Sequence, residues 1–140
     1  MFPSQFQPLS LGRAPAAFSH PDWMFEIKFD GFRALAQVEH GRCKLVSRNG
    51  NEFRSFRTLS ESLGSEVKHS AVLDGEIVSL GADGKPLFYD LLFRRGEPRF
   101  VAFDLLHCDG KDLRYSPLIE RKQKLRAVLP SESSSFLYCD

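Results

Sequence analysis

The run Ala71-Val72-Leu73-Asp74-Gly75-Glu76-Ile77-Val78 constrains the fold of this chain more than any other stretch. Its apolar residues read as a buried strand, interrupted by an acid-glycine-acid insert. Carboxylates inside such a strand cost several kcal/mol unless partners meet them. Side chains alternate along a strand, so residues two apart share one face. Asp74 and Glu76 therefore point the same way, into one site. The competing reading is a β-bulge at Gly75 that leaves both acids at a solvated rim.

A second stretch supplies groups that such acids need. Glu26-Ile27-Lys28-Phe29-Asp30-Gly31-Phe32-Arg33 places a lysine, an acid and an arginine within six residues around an Asp-Gly bend. A lysine held partly out of water there favours its neutral, nucleophilic form. An arginine five residues on meets a phosphate with a planar fork of donors. The plainer reading is a hairpin with charged flanks, since Asp-Gly is a strong signal for that turn. Asp-Gly pairs also begin at Asp83 and Asp109, and those read as plain turns.

The rest of the chain reads as a frame for these two stretches. Trp23 to Ile27 is a short apolar run, expected as a buried strand that delivers Lys28 to its bend. Ala34 to Glu39 and Arg42 to Arg48 form a hairpin turning at His40-Gly41, and Asn49-Gly50 ends its second strand. Phe53, Phe56, Leu59 and Leu63 fall at near-helical spacing, which predicts a helix over 53–63 closed by Gly64 as C-cap. Phe88 to Phe93 is a short helical segment, and Phe100 to Leu106 is another buried strand ended by a turn at 108–111. Ser116-Pro117 opens a last helix, with Ser116 as its capping residue. Leu118, Leu125 and Leu129 form its inner stripe, while Arg121, Lys122, Lys124 and Arg126 coat the outside. Phe136 to Cys139 begins a terminal strand whose edge invites a second copy of the chain. Residues 1–22, with Pro3, Pro8, Pro15 and Pro21, read as an extended lead-in lying across the domain.

Composition excludes several classes. Nineteen Lys and Arg stand against 18 acids, so no net basic field argues for nucleic acid, though a local patch is not excluded. Cys43, Cys108 and Cys139 are odd in number and far apart, and the four histidines lack metal-ligand spacing. They read as free thiols in a reducing compartment and not as a disulfide frame or zinc site. No apolar run is long enough for a membrane span and no signal segment is seen, so the expectation is a cytoplasmic protein without a membrane partner.

Lys28-Phe29-Asp30-Gly31-Phe32-Arg33 resembles the Lys-x-Asp-Gly-x-Arg signature of covalent nucleotidyltransferases: ATP-dependent DNA ligases, RNA ligases and mRNA capping enzymes. The flank from His20 to Glu26, with Ser47-Arg48-Asn49-Gly50, Leu73 to Val78 and Ala102 to Leu106, is similar to the ligase module of bacterial end-joining DNA ligases. The likeness runs from about residue 15 to the end. It implies an α+β fold: antiparallel β-sheets with packed helices, an ATP-grasp-like nucleotidyltransferase core that is incomplete here. Residues 1–140 would be the N-terminal part of an adenylation domain, without the family's OB-fold domain. The resemblance assigns Lys28 as the nucleophile that attacks the α-phosphorus of ATP and carries AMP as a lysyl phosphoramidate. It places Glu26 near the adenine, Arg33 and Arg48 against ribose or phosphate, Glu76 at ribose or the divalent metal (Mg²⁺ or Mn²⁺), and Phe103 stacked on adenine. Nicked or broken duplex DNA is the implied partner of the full-length protein. Two alternatives stay open: an RNA ligase or capping-type nucleotidyltransferase, and a truncated, catalytically incomplete nucleotide-binding or interaction module.

Overall fold

The computed structural model describes residues 6–8, 11–85 and 87–139. In chain order the elements are β1 (Phe32–Glu39), β2 (Arg42–Ser47), α1 (Arg57–Glu66), β3 (Ala71–Ser79), α2 (Phe88–Leu92), β4 (Pro98–Cys108), β5 (Lys111–Asp112), α3 (Leu118–Val128) and β6 (Phe136–Tyr138). The acid-bearing run is β3, flanked by β1 on one side and β4 on the other in a sheet of order β2-β1-β3-β4-β5. Both neighbours run antiparallel to β3.

Local sequence explains the hairpin. His40 and Gly41 both hold positive φ (53° and 75°), the geometry whose twist matches two antiparallel strands. Gly50 closes the following turn at φ 82°, donating its N–H to the Ser47 carbonyl at 2.9 Å.

β6 departs from the expected all-antiparallel sheet, pairing parallel with β4 through Phe100↔Phe136 to Ala102↔Tyr138. The reason is the connection. After β4 the chain turns through β5 and crosses back along α3, and a helical crossover returns a strand in the same direction. The fold is thus α+β with a mixed sheet.

One face of the sheet carries the main core. Ala34, Ala36, Val38, Leu45, Leu73, Ile77, Phe100 and Leu105 pack there under Leu59 and Leu63 of α1 and Leu125 of α3. The opposite face has smaller clusters, Phe6 with Leu35, Val72 and Leu106, and Val78 with Val101 and Cys139. Asp74 and Glu76 alternate with Leu73 and Ile77, and so lie on this second, thinly covered face. The lead-in touches the domain at Phe6, which is buried; residues 1–5 and 9–10 lie outside the described residues.

Several sequence expectations are corrected. The helix starts at Arg57, not Phe53, because the Phe53 N–H is engaged by the Leu45 carbonyl at 2.8 Å beside β2. It runs through Gly64 instead of ending there. A Cβ at Gly64 would lie 2.7 Å from the Gly41 carbonyl oxygen, so glycine lets the helix press onto the hairpin. Trp23 to Ile27 forms no strand, and Trp23, Phe25 and Ile27 are exposed. A strand needs a hydrogen-bonding neighbour, and no described strand pairs with this segment. Ser116 does not cap α3: Pro117 holds the cap position, and the Ser116 carbonyl instead accepts from Arg121 at 2.6 Å. Lys122 is buried, against the expectation that it coats the outside. Among the described residues, no helix is long and apolar enough to cross a membrane.

Candidate active site

The buried carboxylate of Asp74 meets its partner across the β1–β3 pairing. Arg33 donates from Nε to Oδ1 and from Nη2 to Oδ2, both at 2.7 Å, in a two-pronged ion pair whose side chains are 13% and 1% exposed. Arg33 stands directly opposite Glu76 in the register, so its guanidinium reaches diagonally to Asp74. Burial pushes the Asp74 carboxyl up and Arg33 opposes it, while the same contact raises the Arg33 pKa. The pair is ionised, because two short N–H···O contacts require both carboxylate oxygens as acceptors. A register shift does occur between Asp74 and Gly75 on the β4 side, as a bulge would give. It leaves Asp74 buried all the same and Glu76 half-buried, so the solvated-rim reading fails for Asp74.

Glu76 sits beside this pair, directly across from Arg33 in the β1–β3 register. Burial pushes its carboxyl up to about 7, opposed by Arg33, Lys28 and Arg48 and reinforced by Asp74. Lys28 and Arg48 are therefore within electrostatic reach of Glu76, although they arrive from the segment before β1 and the turn after β2. Both are exposed. The partial withdrawal from water expected at the bend is thus not provided to Lys28 by the described residues.

Gly31 fixes where Lys28 enters. A Cβ there would lie 2.1 Å from the Ile77 carbonyl oxygen and 2.9 Å from Val78 Cγ1, distances no side chain tolerates. The bare backbone thus lets the Lys28-to-Arg33 segment run tight against β3, beside Glu76. A cleft of about 280 Å³ opens at this corner, lined by Gly31, Phe32, Arg33, Ser47, Arg48, Asn49 and Phe53.

Phe103 also comes to this face, with the Arg33 Cζ 4.8 Å from its ring centroid. One face of the ring is thereby taken by a guanidinium, a cation–π contact. Glu26 pairs with Lys122 Nζ at 2.5 Å, and the carbonyl of the next residue, Ile27, lies 3.8 Å from Cys139 Sγ. The same Lys122 Nζ donates to the Cys139 carbonyl at 2.8 Å, tying the segment before the nucleophile candidate to the end of β6. Next to it, Arg121 holds Asp104 with contacts of 2.8 and 3.1 Å.

Lys122 was missed in the sequence, yet a signal existed. Leu118, Lys122, Leu125 and Leu129 fall at i, i+4, i+7 and i+11, one continuous helical stripe. A lysine on an apolar stripe is a buried cation in search of an acceptor.

The ATP-dependent DNA ligase domain model matches residues 9–139. The chain belongs to this family. The ligase-domain relatives include the multifunctional non-homologous end joining DNA repair protein LigD of Mycobacterium tuberculosis, 36% identical over 124 residues, which covers 84% of this chain and 16% of that protein. LigD of Pseudomonas aeruginosa is 35% identical over 114 residues, or 77% of this chain and 14% of the relative. Among solved structures, mycobacterial DNA ligase D complexed with ATP and MES matches with a TM-score of 0.66 and 32% identity. That match covers 80% of this chain and 38% of the other. The chain therefore spans well under half the length of each of these relatives.

Proposed function

We propose that this chain forms the nucleotide-attachment part of an ATP-dependent DNA ligase adenylation domain. The observation that carries the reading is convergence. Arg33, Asp74, Glu76 and Phe103 meet on the second face of the sheet, and Lys28 and Arg48, from two further segments, come within electrostatic reach of Glu76. A relative solved with ATP bound supports the choice of nucleotide.

In this reading the Lys28 amine, neutral at the moment of attack, forms an N–P bond to the α-phosphorus. The bond from that phosphorus to the bridging oxygen breaks, pyrophosphate leaves with the electron pair, and the amine proton passes to solvent. Such transfers depend on positioning and charge neutralisation more than on covalent help. Arg48 faces the phosphates from the cleft, while Arg33, locked to Asp74, holds the site's shape. Glu76 suits a hard divalent ion, since Mg²⁺ is commonly held by one or two carboxylates together with substrate phosphates. Such an ion would supply neutralisation of the triphosphate charge. Phe103 offers its remaining ring face to the base, and Glu26, held by Lys122, stands as the acceptor for an exocyclic amine. AMP then moves from Lys28 to a DNA 5′-phosphate.

A pulse–chase experiment tests this. The chain is labelled with α-labelled ATP and Mg²⁺, freed of nucleotide, and chased with nicked duplex DNA bearing a 5′-phosphate. Transfer of label onto the DNA strand is expected. Label taken from GTP in preference to ATP, or passed only to an RNA end, contradicts the DNA ligase reading.

A further inference from the structure

The far end of β3 carries a second cluster of chemistry-bearing side chains, unrelated to the site around Glu76. His69 lies in the loop between α1 and β3, and Cys108 and Asp109 lie where β4 turns into β5. The ligand atoms of these three residues all lie within 4.8 Å of one another. His69 Nδ1 is 2.7 Å from Asp109 Oδ2, and Cys108 Sγ is 3.7 Å from the same oxygen. Forty residues separate the histidine from the acid, which is why no ligand spacing is visible in the sequence.

The cluster is built into the backbone. The Asp109 N–H donates to the Ser70 carbonyl at 2.8 Å, and the Ser70 N–H donates to Asp109 Oδ1 at 3.1 Å. This reciprocal pair fixes the carboxylate with Oδ1 occupied and Oδ2 turned toward His69 and Cys108. Asp109 holds φ 47° and Gly110 φ 83°, a left-handed turn that folds the acid back over the strand end. A cleft of about 410 Å³, lined by Glu39, His40, Lys68, His69 and Ser70 among others, opens beside the histidine.

We propose that His69, Cys108 and Asp109 form a binding site for a borderline-soft divalent ion such as Zn²⁺, closed by a fourth ligand from solvent. The donor set selects the metal. One imidazole, one thiolate and one carboxylate suit zinc, whereas Mg²⁺ demands oxygen ligands. Ligand spacings in the cluster need only small side-chain rotations to surround an ion at about 2.0–2.3 Å. On binding, the ion takes the place of the proton between His69 Nδ1 and Asp109, and the Cys108 thiol proton is released to the buffer. Lys124 lies within electrostatic reach of the thiol and opposes the cation, but it is exposed and so screened. The bound ion would staple the α1–β3 loop to the β4–β5 turn.

The full chain is titrated with Zn²⁺ against a chromophoric chelator, and with Co²⁺ as a spectroscopic substitute. One equivalent is expected to bind, and Co²⁺ should give a thiolate-to-metal charge-transfer band. Cys108→Ser abolishes the band, Cys43→Ser keeps it, and His69→Gln, which removes a direct ligand, weakens Zn²⁺ binding by more than the roughly 10- to 100-fold typical of losing an outer-shell partner. In the same samples, Zn²⁺ but not Mg²⁺ should slow alkylation of Cys108, followed by peptide mass spectrometry. His69→Gln should lose that protection while the thiol is still present. No saturable binding, a band that survives Cys108→Ser, or protection that survives His69→Gln overturns the proposal.

Discussion

Asp74→Asn isolates the interaction on which the site is built. The substitution keeps the side-chain volume and removes one charge, so Arg33 is left 13% exposed without its counter-ion. Asparagine can accept through one oxygen only, and its amide N–H₂ then faces the guanidinium donors. Removing one partner of a buried pair typically costs about 3–5 kcal/mol, because the other charge stays in low dielectric. Most domains have only about 5–15 kcal/mol of total stability, so the variant should lose a large share of it. For a domain of this size, about 3–4 °C of midpoint shift per kcal/mol places the loss at roughly 9–20 °C. Urea and thermal unfolding followed by far-ultraviolet circular dichroism measure it. The paired replacement Arg33→Met with Asp74→Leu should recover much of the loss, since an apolar pair of similar volume often matches a buried ion pair. A double-mutant cycle then gives the coupling directly. If Asp74→Asn lies within about 1 kcal/mol of the wild type, the buried pair does not hold the site and the reasoning is refuted.

Three further outcomes follow from the same geometry. Glu76 has its folded carboxyl raised to about 7, so its contribution to stability is present below its unfolded value and is lost as pH rises through about 7. Glu76→Gln should therefore be more stable than the wild type near pH 8, by about 1–2 kcal/mol after allowing for solvent screening of a half-buried group, and equal to it near pH 4. Equal stabilities at both pH values contradict this. Gly31→Ala drives a methyl to 2.1 Å from the Ile77 carbonyl and must displace the start of β1. Its unfolding midpoint should fall by an amount typical of overpacking, about 1–3 kcal/mol, and an unchanged midpoint would show that the approach is not tight. Lys122→Met releases the Cys139 carbonyl and Glu26 together. Hydrogen exchange at the Cys139 amide, which bonds the Ala102 carbonyl at 3.0 Å, should accelerate; unchanged exchange would show that Lys122 does not anchor β6.

How much of this was legible in the sequence varied with the range of the interactions. The hairpin was readable because its turn and alternation are local: His40-Gly41 and Asn49-Gly50 dictate their own backbone. The acids of β3 were readable because an apolar strand cannot absorb them without partners. That Arg33 would be the partner of Asp74 was not, since it depends on the β1–β3 register. The helix start was misplaced because Phe53 keeps a backbone bond to Leu45, a tertiary contact that overrides helical spacing. Trp23 to Ile27 has the composition of a buried strand, but composition does not supply a neighbouring strand. Gly64 has the look of a C-cap and serves instead as a point of close approach. In each miss the deciding contact lies far away in sequence.

The most direct test of the central claim is the location of the nucleotide adduct. The chain is incubated with ATP and Mg²⁺, digested, and mapped by mass spectrometry under conditions that preserve a phosphoramidate. The account predicts one AMP on the peptide that carries Lys28, lost on brief acid treatment and absent in Lys28→Ala. An adduct on another residue, one that persists in Lys28→Ala, or none at all would contradict it.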